Sequence, residues 1–249
     1  MVKIVTVSNR KGGVGKTTTA VHLAHGLAMK GLRTLLVDLD PQGHVAPALG
    51  LEPGPGVFDL LVGRVPLDTV TSVARKDLYV LAGNGRTATA QTVLEAERAG
   101  LGALAEMLPR GRKATVDYVV LDTAPSAGRL QEMALFAADL VLVPAAVDWL
   151  SLAGVQDLIY GLKDLRQEGW AGRLLGVLPT FHDDVTRESR TNLGALRASW
   201  GEWVLDPIHR ATLLRECAAE GKTAWEKEPE SRPAKEYSVL VWKVVDAEA

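Results

Sequence analysis

Short apolar runs alternate with helix-length stretches along most of this chain. An apolar run over residues 3–7 ends in a glycine-rich turn; a helical stretch over 17–30 follows, Gly31 stops it, and a second apolar run occupies 34–37. That order predicts a β-α-β unit. Further runs at 78–82, 118–121, 140–143, 174–178 and 203–205 predict additional strands, with helix-length segments between most of them. The runs are continuously apolar rather than alternating, so each strand is expected to be covered on both faces, as in a parallel sheet. The whole pattern predicts an α/β fold with a single doubly wound, mainly parallel sheet flanked by helices.

Segment 41–75, with Pro53, Gly54, Pro55 and Gly56, breaks the rhythm and predicts a loop-rich excursion after the second strand, too short for a core of its own. A charged stretch over 226–235, interrupted by Pro229 and Pro233, precedes a final amphipathic helix. With 47% hydrophobic and 23% charged residues, a single domain over 1–249 is the economical organisation.

Composition narrows the function classes. Cys217 is the one cysteine, which excludes a disulfide framework or a CxxC metal site within one subunit and fits a reducing cytoplasm. Residues 1–8 lack the features of a signal peptide, and no charge-free run of about 18 apolar residues occurs, so neither export nor a membrane span is expected. A formal net charge of -2 offers no bulk attraction to nucleic acid or anionic lipid, so such binding needs a local patch.

The chemistry concentrates where the first strand meets the first helix, at Arg10-Lys11-Gly12-Gly13-Val14-Gly15-Lys16-Thr17-Thr18. Glycines there let successive backbone N–H groups point at anionic oxygens, and the helix N-terminus adds its positive dipole end. Lys16 is placed to span the outer phosphates of a nucleotide, Thr17 to ligate Mg2+, and Thr18 to face the inner phosphate. The usual phosphate-loop pattern wants glycine five positions before Lys16, where Arg10 stands. Lys11 adds a second ammonium group to the loop. Two such charges repel unless a polyanion separates them or one points towards another molecule's phosphates.

Two further apolar runs end on acids. Leu35-Leu36-Val37-Asp38-Leu39-Asp40-Pro41-Gln42-Gly43 brings both aspartates to the carboxyl edge of the sheet, where open α/β sheets bind ligands. Asp38 is the candidate for orienting an attacking water, while Asp40 and Gln42 are candidates for the metal's outer shell and the turn. Spacing leaves the division of tasks between the two aspartates open. Tyr118-Val119-Val120-Leu121-Asp122 closes likewise, and Asp122 is expected to hold Mg2+ through water.

K-G-G-V-G-K-T-T and D-L-D-P-Q-G resemble the deviant Walker-A P-loop ATPases, the group containing the ParA partition proteins, MinD and the nitrogenase iron protein. The likeness to the ParA branch continues through 141–155 and 174–180 and covers most of the chain. It implies a P-loop NTPase that uses ATP and Mg2+ and forms a homodimer around the nucleotide, with Lys11 reaching the partner subunit's phosphates. It also ties Asp38 to hydrolysis and places Thr180 and Pro207 near the adenine. A ParA-type protein would bind double-stranded DNA without sequence preference, associate with the nucleoid and be stimulated by a ParB-like adaptor. The resemblance points to Arg187, Arg190, Arg210, Arg215 and Lys222 as the DNA face. Over 186–222, however, six Lys or Arg stand against five Asp or Glu, a mixture that usually marks a solvated surface. Ala146 and Asp148 stand where the family usually has Gln and Glu, and Glu216-Cys217-Ala218 replaces its usual Glu-Ala-Pro.

Other functions stay open on the same nucleotide chemistry. A MinD-like membrane regulator needs a basic amphipathic C-terminal helix, whereas 237–249 holds one lysine, Lys243, and ends Asp246-Ala247-Glu248-Ala249. A positioning ATPase for another cargo, such as a protein compartment, keeps all the motifs, and so does a metabolic ATP-dependent ligase. With no helix-turn-helix segment ahead of the first strand, site-specific operator binding is not expected. His22, His25, His44, His182 and His209 lack metal spacing and are expected to be structural or at the surface. Trp149, Trp170, Trp200, Trp203, Trp225 and Trp242 are expected to serve core or dimer packing.

Overall fold

The computed structural model describes residues 1–52, 54–109, 111, 114–148 and 151–247, with 151–153 described through their backbone alone. Pro53, Trp149, Glu248 and Ala249 lie outside the described residues. Seven strands, β1 (Lys3–Val7), β2 (Thr34–Asp38), β3 (Ser72–Arg75), β4 (Leu78–Leu81), β5 (Tyr118–Asp122), β6 (Leu140–Ala146) and β7 (Arg173–Thr180), form one sheet in the order β3-β4-β2-β5-β1-β6-β7. Every pairing is parallel except β3 with β4.

The unbroken apolar runs are explained by what covers them. On one face, Val5, Val7, Leu36, Val120 and Leu142 pack with Leu23 and Leu27 of α1 (Lys16–Met29) and with Tyr237, Leu240 and Val244 of the C-terminal helix Arg232–Asp246. On the other face, the alternate residues Ile4, Leu35, Val37, Val119 and Leu121 meet Leu94, Leu104, Leu130 and Met133. Strand side chains alternate in direction, so a strand buried on both sides needs apolar residues at every position. A third cluster seats Val155, Leu158 and Leu162 on Val141, Val143 and Val177.

α1 and the C-terminal helix approach closely at Gly26, where an added Cβ would lie 2.4 Å from Val241 Cγ2. The glycine lowers helix propensity by about 1 kcal/mol relative to alanine, and close packing supplies its reason. Ser231 caps the C-terminal helix by accepting from the Ala234 N–H, and a proline follows in the first turn.

Two expected elements differ. The run 203–205 forms no strand: a 3-10 turn, Gly201–Trp203, leads to one parallel bridge between Val177 and Val204, and Leu205 N–H donates to Val177 O at 2.9 Å. Three residues beside an edge strand give that segment a foothold on β7 without a ladder. The excursion 41–75 is more ordered than a loop, holding the short helices Val45–Ala48, Val57–Leu61 and Leu67–Val70 and the antiparallel strand β3. Ser72 and Val73 in β3 are exposed, so the edge position left no apolar signature to read.

Candidate nucleotide and metal site

Because β1, β2, β5 and β6 run parallel, their carboxyl ends share one edge, and the register sets Asp38 opposite Asp122 and Val7 opposite Asp122. The phosphate loop starts from this edge. Asn9 fixes its first turn, donating to Pro144 O at 2.7 Å and accepting from Lys11 N–H at 2.9 Å. Gly13 (φ 68°) and Gly15 (φ 82°) take the left-handed conformation that L side chains resist, which turns the loop into α1. An N-terminus so shaped presents backbone N–H groups to an anion.

The two lysines go different ways. Lys16 is buried, and its ammonium group donates to Lys11 O at 2.9 Å. Burial lowers its pKa, and the charges of Asp122 and Asp40 partly counter this. Lys11 donates to both carboxylate oxygens of Asp148, at 2.6 and 2.7 Å, within the same chain. The loop thus keeps its two positive charges apart by giving each a local acceptor.

Asp38 is fully buried at the end of β2, and its carboxylate accepts from Asp40 N–H (3.0 Å) and Val45 N–H (3.1 Å). Burial raises its pKa to about 6 despite those two donors. Gly83 packs beneath it, where a Cβ would lie 2.7 Å from Asp38 O and 2.6 Å from Asp40 O. Asp40 accepts from Gln42 N–H at 2.9 Å and so holds the turn, while the Gln42 side chain is at the surface.

Asp122 is the electrostatic anomaly of the site. Both its oxygens are buried with no well-formed hydrogen bond among the described residues, and its pKa is pushed well up, first by burial and then by Asp38, with the neighbouring Thr17 hydroxyl and Lys16 opposing. A buried carboxylate without donors is costly unless a cation neutralises it. A hard divalent ion fits this set of oxygens: Thr17, and Asp122 through water, would hold Mg2+, with the carboxylates of Asp38 and Asp40 adding negative charge at the same sheet edge. Behind Asp122, Thr123 Oγ1 donates to Val7 O at 3.1 Å, and Gln131 Nε2 donates to Ser8 Oγ at 3.1 Å, which ties β5 to β1 under the loop.

Beside the loop opens a cleft of about 560 Å3 lined by Gly13, Gly15, Thr18, Thr180, Phe181 and the 208–211 segment, among others. Thr180 Oγ1 donates to Val14 O at 2.9 Å, which fastens β7 to the phosphate loop. Phe181, at φ 55°, occupies a backbone region that few non-glycine residues adopt, and its ring stands over Gly15. The cleft has the size and mixed lining of a small-molecule site, with an aromatic wall for a base. Pro207 borders a separate cavity together with Leu178, Leu240 and Lys243, and its neighbour Ile208 faces the cleft instead.

The basic residues scatter. Arg187 is exposed on the helix Arg187–Trp200, whereas Arg190 donates to Asp184 O and Val185 O. Arg210 and Arg215 line the cleft, and Lys222 pairs with Glu220 at 3.2 Å. Asn9, Phe181 and the Thr123–Ser8–Gln131 group carry no motif of their own; only the position of Asn9 and Thr123 beside the two motifs could have flagged them.

Comparison with known proteins agrees with this geometry. A family model described as an AAA domain matches residues 2–172. The chromosome-partitioning ATPase Soj of Thermus thermophilus is 39% identical over 98% of this chain and 96% of its own length. A structure from Mycobacterium smegmatis, named cobyrinic acid a,c-diamide synthase and holding ADP and magnesium, superposes with a TM-score of 0.85 at 30% identity, over 100% of this chain and 96% of that one. Apo McdA from Cyanothece shares the fold, with a TM-score of 0.88 at 21% identity over 98% of this chain and 100% of its own. The chain belongs to the ParA/Soj-type partition ATPases, in the deviant Walker-A branch of the P-loop fold.

Proposed function

We propose that this ATPase works as a nucleotide-timed positioning switch: a homodimer closes around two Mg-ATP, binds DNA without sequence preference, and a ParB-like partner speeds hydrolysis and release. Such a protein would be cytoplasmic and held on the nucleoid while ATP is bound. The observation that carries this reading is the fate of Lys11. Its ammonium sits on the same loop as the buried Lys16 but is held by Asp148 at the rim of the cleft, so a second cation stands beside the phosphate loop on an acceptor of its own, which this function requires it to exchange for a phosphate.

Within one subunit, Lys16 would neutralise the outer phosphates, and the loop N–H groups would cradle the inner ones. Asp122 and Thr17 would hold Mg2+, which supplies charge neutralisation at the transferring phosphoryl group. Asp38, whose pKa burial raises towards neutrality, is held by two backbone donors, which would fix it to orient a water and receive its proton. ATP closure would replace the Lys11–Asp148 contact by one with the partner's phosphate. Arg187, Arg210 and Arg215, which form no ion pair among the described residues, would then be doubled across the dimer, giving a patch with only a slight positive excess enough local charge for phosphate contacts.

Co-sedimentation with random-sequence DNA, with ATP and with ADP, tests the proposal. Retention is expected with ATP alone, falling steeply with salt. Lys16→Ala is expected to lose nucleotide binding, and Asp38→Ala to keep ATP and DNA retention while hydrolysing poorly. Equal retention in both nucleotides would remove the switch. The 30% identity to the structure named as a diamide synthase favours one second reading, a ligase that activates a carboxylate at the same phosphate site. ADP release that depends on an added carboxylic acid and ammonia, with DNA without effect, would select it.

A further inference from the structure

We propose that His182, Asp184 and His209 form a binding site for a borderline divalent transition ion, zinc above all, at the lip of the nucleotide cleft. The three residues are brought together by the fold rather than by sequence spacing. A parallel bridge joins His182 to His209, with Arg210 N–H donating to His182 O at 2.9 Å and His182 N–H to Ile208 O at 3.2 Å. The two rings meet edge to face, with centroids 4.8 Å apart.

Each ring is already aimed. Nδ1 of His182 bonds to the buried Ser189 Oγ at 2.8 Å, and Nδ1 of His209 to Glu236 Oε1 at 2.6 Å. Both Nε2 atoms therefore face the same carboxylate: His182 Nε2 lies 3.1 Å from Asp184 Oδ1, and His209 Nε2 lies 3.1 Å from Asp184 Oδ2. The three ligand atoms all fall within 4.8 Å of one another. Tetrahedral zinc with bonds near 2.0–2.1 Å needs donors roughly 3.3 Å apart; each Nε2 lies 3.1 Å from a different oxygen of Asp184, so the set contracts onto one ion by rotation of the exposed carboxylate with a small ring movement. An imidazole whose far nitrogen is held by a carboxylate is the usual support of a metal ligand. Two imidazoles with one carboxylate suit zinc, cobalt or nickel better than magnesium or calcium.

A positive charge already stands at this point. Arg232 Nη2 lies 2.5 Å from His209 Nε2 and 2.9 Å from Asp184 Oδ2, and its side chain is 57% exposed. The guanidinium competes for the lone pairs an ion would use, and its exposure lets it swing into solvent when one binds. Asp184 and His182 belong to the loop after β7, His209 to the cleft lining, and Glu236 to the C-terminal helix. An ion here would clip these three segments together beside the base-binding end of the cleft. The inference is independent of the partition reading.

Cobalt titration of the full chain, without nucleotide and with magnesium in excess to occupy hard-ligand sites, tests it through visible d–d absorption. Zinc would then displace the cobalt, and a colorimetric chelator would set the affinity. One ion per chain is expected, with affinity lowered at least about 10-fold in His209→Asn and Asp184→Asn and raised about 10-fold in Arg232→Met, which removes the competitor. Asp184 is at the surface, so Asp184→Asn reports on the ligand even if a histidine variant fails to fold. Arg232→Met binding no tighter than the natural chain, or Asp184→Asn giving an unchanged cobalt spectrum and affinity, would overturn the site, as would weak binding at several places indifferent to all three substitutions.

Discussion

Asp122 carries two buried oxygens with no well-formed hydrogen bond among the described residues, facing Asp38 across the β2–β5 register, and that arrangement is tolerable only with a cation or a proton nearby. It costs the resting protein something that nucleotide and Mg2+ would recover. Asp122→Asn removes the charge at nearly constant shape, so the variant is expected to melt at or above the temperature of the natural chain while ATP turnover falls by about 100-fold or more. A calorimetric scan beside a phosphate-release assay reads both, and a large drop in melting temperature would contradict this account of the charge. His22 supplies a pH signature. It is buried on the face of α1 that packs on the C-terminal helix, stacks on Tyr237, accepts from Ala224 N–H, and its pKa falls to about 4 because burial disfavours the charged ring. The unfolded chain takes up that proton near pH 6.5, so stability is lost as pH falls from about 6.5 towards 4, by up to about 3 kcal/mol. Asp38 contributes with the opposite sign over much of that window. Urea melts of the natural chain and His22→Gln should therefore be compared by difference, and parallel pH profiles would rule out His22 as the source.

The meeting of α1 with the C-terminal helix decides whether the phosphate loop has a firm base. Gly26 lets the helices touch, since a Cβ there would meet Val241 Cγ2 and the Trp225 ring. Gly26→Val is expected to destabilise by about 1–3 kcal/mol through overpacking, and the paired change with Val241→Ala to recover part of that loss in chemical denaturation. Unchanged stability in the single variant would show that the contact is loose. Elements buried on both faces were the ones legible in the sequence: β1, β2 and β5 announce themselves as unbroken apolar runs, and the loop between β1 and α1 by its glycines and lysines. What stayed hidden depends on partners far along the chain. β3 is exposed at the sheet edge and exists because β4 pairs with it; the Lys11–Asp148 contact spans 137 residues; and His182 meets His209 through a single bridge. Local patterning carries the strands and the loop, and only the folded topology carries these pairs.

As a whole molecule, the protein carries the candidate phosphate loop on one chain together with a second loop lysine bonded to the partly exposed Asp148. The account requires Lys11 to exchange that acceptor for a phosphate on a second copy. Solution mass of Asp38→Ala with Mg-ATP, measured by light scattering behind a sizing column, tests this requirement most directly, because slow hydrolysis should hold the closed state. A species of twice the 26.7 kDa chain mass with ATP, a monomer with ADP, and a monomer in both nucleotides once Lys11→Ala is added are the predicted results. A dimer that forms equally well without the Lys11 ammonium, or an ATP-bound chain that stays monomeric, would contradict it.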